Sequence, residues 1–212
     1  MKLIGMLDSP YVRRVAICLK LLKLDFEHQS ISVFSTYDAF AKINPVVKAP
    51  TLILDNGQSV MDSTVILQYV ATLAAPDQRI FPSQPDYCLR AARLTGLALA
   101  ACEKSVQIVY ERNLRPADKQ HEPWVDRVMG QLTAGLSALD LELPPSGWIG
   151  GELGVADITV ACAFGFTHSL LADVVDTGRY PNLGAFSARA EALPAFRAAP
   201  AVDGAIASTI GG

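Results

Sequence analysis

Three short patterns in the 212-residue chain hold residue types able to do chemistry. Ser9 stands directly before Pro10, which reads as the N-cap of a helix with the proline in its first position. Ala49-Pro50 opens an apolar run, and a proline there, if cis, would turn the chain and leave the Ala49 N–H and C=O facing solvent. Such a free edge can pair with an extended peptide. Asp62-Ser63 closes the next run with a carboxylate, a hydroxyl and free helical N–H groups at one point, where the helix dipole favours a bound anion. One end of this stretch could bind a peptide backbone and the other a charged amino-acid head group.

The elements that must position these groups follow from periodicity. Asp55-Asn56-Gly57 between two apolar runs is a strong hairpin signal, giving strands over 51–54 and 58–61 that lead into a helix over 63–74. Upstream, 2–5 reads as a short strand. Val12, Val15, Ala16, Leu19 and Leu22 at helical spacing give a helix over 10–23, followed by a strand over 26–30 and a less regular helix over 35–43. The order β-α-β-α-β-β-α implies a parallel pair from the crossover and an antiparallel edge from the hairpin, a mixed four-stranded sheet of thioredoxin-like layout. Phe81-Pro82-Ser83-Gln84-Pro85 then breaks both helix and strand. Beyond it the pattern is helical, with helices expected over 89–113, 124–141, 155–172 and 182–193 and another in the Ala-rich end. The third of these is apolar all round, as a helix at the centre of a bundle is. The chain divides into an α/β domain at 1–78, a linker at 79–86 and an all-helical domain at 87–212.

Half of the residues are hydrophobic and 18% are charged, ample for a buried core and unlike a disordered chain. A formal net charge of −3 without a long basic run gives no nucleic-acid footprint. The chain reaches a turn within a few residues of Met1, leaving no room for a secretory apolar region. No apolar run approaches the ~20 residues that span a bilayer, so a cytoplasmic protein away from membranes is expected. Cys18, Cys88, Cys102 and Cys162 lie far apart, form no Cys-x-x-Cys pair and read as buried reduced thiols. His28, His121 and His168 show no ligand spacing, and no metal is expected. Arg13 and Arg14 read as solvated, Arg13 being close enough to Ser9 to matter electrostatically.

Taken in order, Asn44-Pro45, Lys48, Ala49-Pro50, the hairpin and Asp62-Ser63 resemble the glutathione-binding half of the cytosolic glutathione transferases. Ser9-Pro10-Tyr11-Val12-Arg13 is similar to the serine-type members, in which this serine activates the thiol of glutathione. The run 150–157 resembles the family's second signature, a capping box at the start of the central helix, with Gly154 in place of the usual hydroxyl residue and Asp157 as the acidic half. Asp157 therefore reads as a fold element.

The resemblance implies glutathione as co-substrate, its sulfur at Ser9 and its cysteinyl unit on the Ala49 backbone held open by Pro50. It further implies the glycyl carboxylate at Lys48, and the γ-glutamyl ammonium and carboxylate at Asp62 and Ser63. A solvated surface lysine remains the alternative for Lys48, and an ordinary polar helix start for Asp62-Ser63. A serine hydroxyl can cap its helix and still donate to a sulfur. Lowering a thiol from ~8.5 to about 6.5 takes roughly 2.7 kcal/mol, within reach of one good hydrogen bond and a helix dipole. With serine rather than cysteine at position 9, the mixed-disulfide chemistry of the cysteine-type relatives is disfavoured. Tyr11, Phe34, Tyr110 and Arg112 could line an apolar second-substrate pocket between the domains, or the aromatics could belong to the core. The implied activity is conjugation of the glutathione thiolate to a small hydrophobic electrophile, a detoxification reaction of a homodimer. A glutathione-dependent peroxidase, isomerase or dehalogenase, and a non-catalytic interaction protein of the same fold, are the alternatives.

Overall fold

Strand β1 (Lys2–Ile4) lies inside a four-stranded sheet of order β2-β1-β3-β4. It pairs parallel with β2 (Glu27–Gln29) and antiparallel with β3 (Thr51–Ile53), which pairs antiparallel with β4 (Ser59–Met61). This is the mixed sheet that the element order predicts. The computed structural model describes residues 1–202 and Gly204, in two compact units: Met1–Phe81 with the segment from Ala192 on, and Pro82–Glu191. The β3–β4 hairpin turns through Asp55-Asn56-Gly57, where Gly57 takes a φ of 83° and donates its N–H to Leu54 O at 2.9 Å.

Helix α1 (Pro10–Leu21) starts on Ser9 in extended conformation with Pro10 in its first position. It stops where Lys23, at φ 52°, lets the Leu24 N–H reach Leu19 O at 3.0 Å. Val12, Val15, Ala16, Ile17 and Leu19 are fully buried. So are Arg13 and Arg14, at 5% and 2% exposed, which corrects their reading as solvated side chains. For Arg13 the reason is a short helix α8 (Pro194–Arg197): the guanidinium lies over the Phe196 ring, 5.6 Å from its centroid, and Nε donates to Ala199 O at 2.9 Å. These contacts return the chain after Ala192 to the first unit, whereas the sequence keeps 87–212 together as one helical domain. The last part of that expected domain, Asp203 and residues 205–212, lies outside the described residues.

Helices α2 (Tyr37–Ile43) and α3 (Ser63–Ala71) complete the first unit, α3 packing on α1. Gly5, just past β1, has φ 133°, and a Cβ there would stand 2.6 Å from Val12 Cγ2 and 3.1 Å from Ala49 Cβ. Strand end, helix and Ala49 therefore converge where only glycine fits.

The second unit is built from α4 (Pro85–Asn113), α5 (Glu122–Glu142), α6 (Val155–Leu170) and α7 (Pro181–Glu191). Helix α6 is buried throughout 155–164, the central helix that its sequence marks, and packs against α4 and α7. The Ser105 and Thr167 hydroxyls meet at 2.7 Å across α4 and α6. At the start of α6, Asp157 Oδ2 accepts the Gly154 N–H and Oδ1 the Ile149 N–H, both at 2.9 Å. Gly154 brings no hydroxyl, so only the acidic half of the capping box operates. Cys88 departs from expectation: it is exposed and its Sγ donates to Pro82 O at 3.0 Å, while the other three cysteines are buried.

Two predictions follow from these close contacts. Gly5→Ala adds a clash and a left-handed side chain, each costing about 1–3 kcal/mol, and should lower the urea midpoint accordingly. An unchanged midpoint would mean that Val12 and Ala49 move aside freely. Burial pushes the Asp157 carboxyl up to about 6, against the pull of the N–H groups bonded to it. Since this lies above the ordinary value of 3.8, the stability it contributes is full below that value and is lost as pH rises through about 6. The unfolding free energy of the wild type, less that of Asp157→Asn, should fall by about 2 kcal/mol between about pH 4 and 7; a constant or rising difference contradicts this.

Candidate functional site

The loop before β3 is built by Asn44, which is buried. Its Oδ1 accepts the Val46 N–H at 3.0 Å and its Nδ2 donates to Thr51 Oγ1 at 2.9 Å. The Thr51 hydroxyl donates in turn to Lys48 O at 2.8 Å. Val47 turns with φ 50°, and the Ala49-Pro50 peptide is cis. Among the described residues, neither the N–H nor the C=O of Ala49 has a hydrogen-bond partner. A free stretch of backbone thus stands beside β3, next to Gly5 and Val12.

Helix α3 begins at Asp62, whose φ of 73° is uncommon for a residue with a side chain. Its Oδ1 accepts the N–H of Thr64 at 2.9 Å and of Val65 at 3.4 Å, capping the helix. Its Oδ2 stands 3.9 Å from Lys48 Nζ. Both side chains are about half exposed, so the pair contributes little, about 0–1 kcal/mol, and can open for a ligand. Ser63 is 4% exposed, and its Oγ accepts from Arg14 Nη1 at 3.1 Å. The same Nη1 donates to Thr64 Oγ1 at 3.2 Å. Reasoning from sequence missed Arg14. The available signal was the unbroken run Val15-Ala16-Ile17-Cys18-Leu19: a helix apolar on all sides is enclosed, and an arginine on it must find partners inside.

Ser9 accepts the Arg13 N–H on its carbonyl at 2.9 Å, but its half-buried hydroxyl makes no capping bond. Among the described residues that hydroxyl has no partner. Helix α1 therefore joins the three patterns: Ser9 at its start, Val12 beside Ala49 over Gly5, and Arg14 on Ser63. Next to it, His28 Nε2 lies 2.7 Å from Gly5 O, an acceptor to which the ring nitrogen donates, and burial holds the ring's pKa below its ordinary 6.5. This is the structural role that its spacing suggests.

Of the four residues assigned to a second-substrate pocket, Tyr11 is half-buried and Phe34 is 55% exposed in the first unit. In the second unit Tyr110 is 44% exposed and Arg112 Nη1 bonds Asp173 Oδ2 at 2.9 Å. Exposure removes the core alternative for Phe34 and Tyr110. Among the described residues no three His, Cys, Asp or Glu side chains gather as a metal site requires, and no helix is long and apolar enough to cross a membrane.

A chain opening a peptide edge beside two helix starts invites comparison with known proteins. The family model for the glutathione S-transferase N-terminal domain matches residues 3–78, and that for the C-terminal domain residues 122–189. The uncharacterized GST-like protein YibF of Escherichia coli is 29% identical over 169 residues, 79% of this chain and 82% of that protein. A maleylacetoacetate isomerase of Pseudomonas aeruginosa is 26% identical over 211 residues, 94% of this chain and 95% of that protein. A glutathione S-transferase of Methylobacterium radiotolerans, solved in complex with glutathione sulfonate, is 31% identical with a TM-score of 0.82 and 92% of each chain covered. Sheet order, helical second unit and both matched regions agree: the chain belongs to the glutathione S-transferase family.

Proposed function

We propose that the chain binds glutathione in its first unit and uses Ser9 to hold the thiolate for attack on a small apolar electrophile. The observation that carries this reading is the Ser9 hydroxyl, left uncommitted at the start of α1. A sulfur brought there meets a hydrogen-bond donor and the positive end of a helix, both of which favour thiolate over thiol. The extended tripeptide pairs with the free Ala49 backbone, beside Pro50. Its γ-glutamyl carboxylate takes the Ser63 N–H and hydroxyl, and its ammonium takes Asp62 Oδ2. Lys48, displaced from Asp62, swings to the glycyl carboxylate, so each charge exchanges one partner for another.

Attack forms an S–C bond while the displaced electron pair leaves with the departing group or, where the target is an activated double bond, moves from that bond onto the activating group. Rate comes from the lowered thiol pKa and from positioning. The alignment with a maleylacetoacetate isomerase over nearly the whole chain supports a second reading. There the same thiolate adds to an activated alkene, the carbon–carbon bond rotates, and the thiolate departs unchanged. A substrate panel separates the two, because conjugation consumes glutathione and isomerisation does not. The family resemblance further supports a serine-type, cytoplasmic homodimer engaged in detoxification.

Calorimetry should find glutathione binding between micromolar and millimolar, weakened at least about tenfold, or ~1.4 kcal/mol, in Asp62→Ala. Unchanged affinity removes Asp62 from the site. Ser9→Ala should keep the affinity within about threefold while raising the pKa of the bound thiol, followed by thiolate ultraviolet absorbance against pH, and slowing turnover by roughly tenfold or more. The same bound-thiol pKa in both proteins would end the proposed role of Ser9.

A further inference from the structure

Resting on the glutathione reading above, we propose that Arg14 is a positioning residue that fixes Ser63 as a hydrogen-bond donor and so selects a carboxylate at the start of α3. A hydroxyl carries one donor proton and two acceptor pairs, whereas a guanidinium carries donors only and stays charged at every working pH. The Arg14 Nη1 that reaches Ser63 Oγ at 3.1 Å therefore occupies an acceptor pair and turns the hydroxyl proton away from itself. Among the described residues Ser63 Oγ has no acceptor for that proton, and the Ser63 N–H, at the first helical position, has no acceptor within the helix. Both donors are left for a ligand.

The orientation is held from two sides. Arg14 is 2% exposed on a helix enclosed by the core, and its Nη1 is shared with Thr64 Oγ1 at 3.2 Å, on the same first turn of α3. The guanidinium straddles residues 63 and 64 and cannot follow a rotation of Ser63 alone. A chain running from guanidinium through hydroxyl to carboxylate is charge-assisted at both ends, which strengthens each bond. An ammonium placed there meets donors only, whereas Asp62 at the N-cap of the same helix offers Oδ2 as an anionic acceptor. The two charges of an α-amino-acid head group are thereby assigned to opposite sides of the helix start.

The test is calorimetry with glutathione and with an analogue carrying γ-aminobutyrate in place of γ-glutamate, which lacks only the α-carboxylate and keeps the amine on that carbon. Arg14→Gln should weaken glutathione binding roughly tenfold and analogue binding by less than about twofold. Ser63→Ala should show a similar loss, and the double variant should lose no more than about threefold beyond Ser63→Ala alone, because the arginine acts through the hydroxyl. Arg14→Lys, which keeps a charged donor, should recover at least about a third of the affinity. Equal losses for both ligands, or additive losses in the double variant, overturn the proposal and reduce Arg14 to a structural residue. Should Arg14→Gln fail to fold, Thr64→Val decides: with its competing acceptor gone, Arg14 donates to Ser63 alone, and glutathione should bind at least as tightly as before. Weaker binding there overturns the proposal. A wild-type protein that binds no glutathione overturns the functional reading itself, an outcome distinct from binding that ignores Arg14.

Discussion

The site depends on burying α1 while leaving its first residue in reach of solvent. Val12, Val15, Ile17 and Leu19 are fully enclosed, and each such side chain contributes roughly 1.5–3 kcal/mol when removed from water. That sum fixes the direction of the helix far more firmly than any polar contact at the site could. The helix start, with Ser9 half-buried and its hydroxyl uncommitted, is aimed by a core that takes no part in the chemistry. Gly5 lets β1 and the Ala49 backbone come up against the same helix, so the free peptide edge and the helix start are held together by packing.

Asp62 shows the opposite arrangement, a local cost kept in place by local bonds. A left-handed conformation for a residue with a side chain costs about 1–3 kcal/mol. Its carboxylate caps α3 through Thr64 and Val65, worth about 1 kcal/mol, which offsets part of that cost. Strain that a protein does not need for stability marks a position whose direction matters. Here the left-handed turn sends one carboxylate oxygen to the helix and leaves the other 3.9 Å from Lys48, beside the free backbone of Ala49.

Much of the fold was legible because its signals are local. The hairpin followed from Asp55-Asn56-Gly57, α1 from Ser9-Pro10 and its apolar spacing, and the central helix α6 from a run apolar on every side. The features that escaped are those decided by partners distant in sequence. Arg13 is buried by Phe196 and Ala199, and Arg14 by Ser63 and Thr64, whereas a charged side chain read alone defaults to solvent. The same contacts explain why an Ala-rich segment following a helical domain returns to the first unit. Asn44 was quoted as part of a motif, but its bonds to Val46 and Thr51, which shape the loop ahead of Ala49, become visible only once that loop is folded. Cys88 is exposed near the start of α4, and helical spacing alone does not say which positions a neighbour covers.

The two serines at the starts of α1 and α3 share a residue type and a helix terminus, and differ in what occupies their acceptor pairs. Ser63 has one pair filled by Arg14, so its proton is turned away from the guanidinium regardless of what approaches, which suits a carboxylate that stays ionised across the working range. Ser9 has no such partner among the described residues and can rotate. It can accept from a thiol and donate to a thiolate, which suits the change of charge that the proposed reaction requires. A guanidinium on Ser9 would hold its proton in one direction and remove that freedom. Placing Arg14 one turn further along α1, where it reaches α3 instead, gives one fixed and one adaptable hydroxyl from a single buried helix.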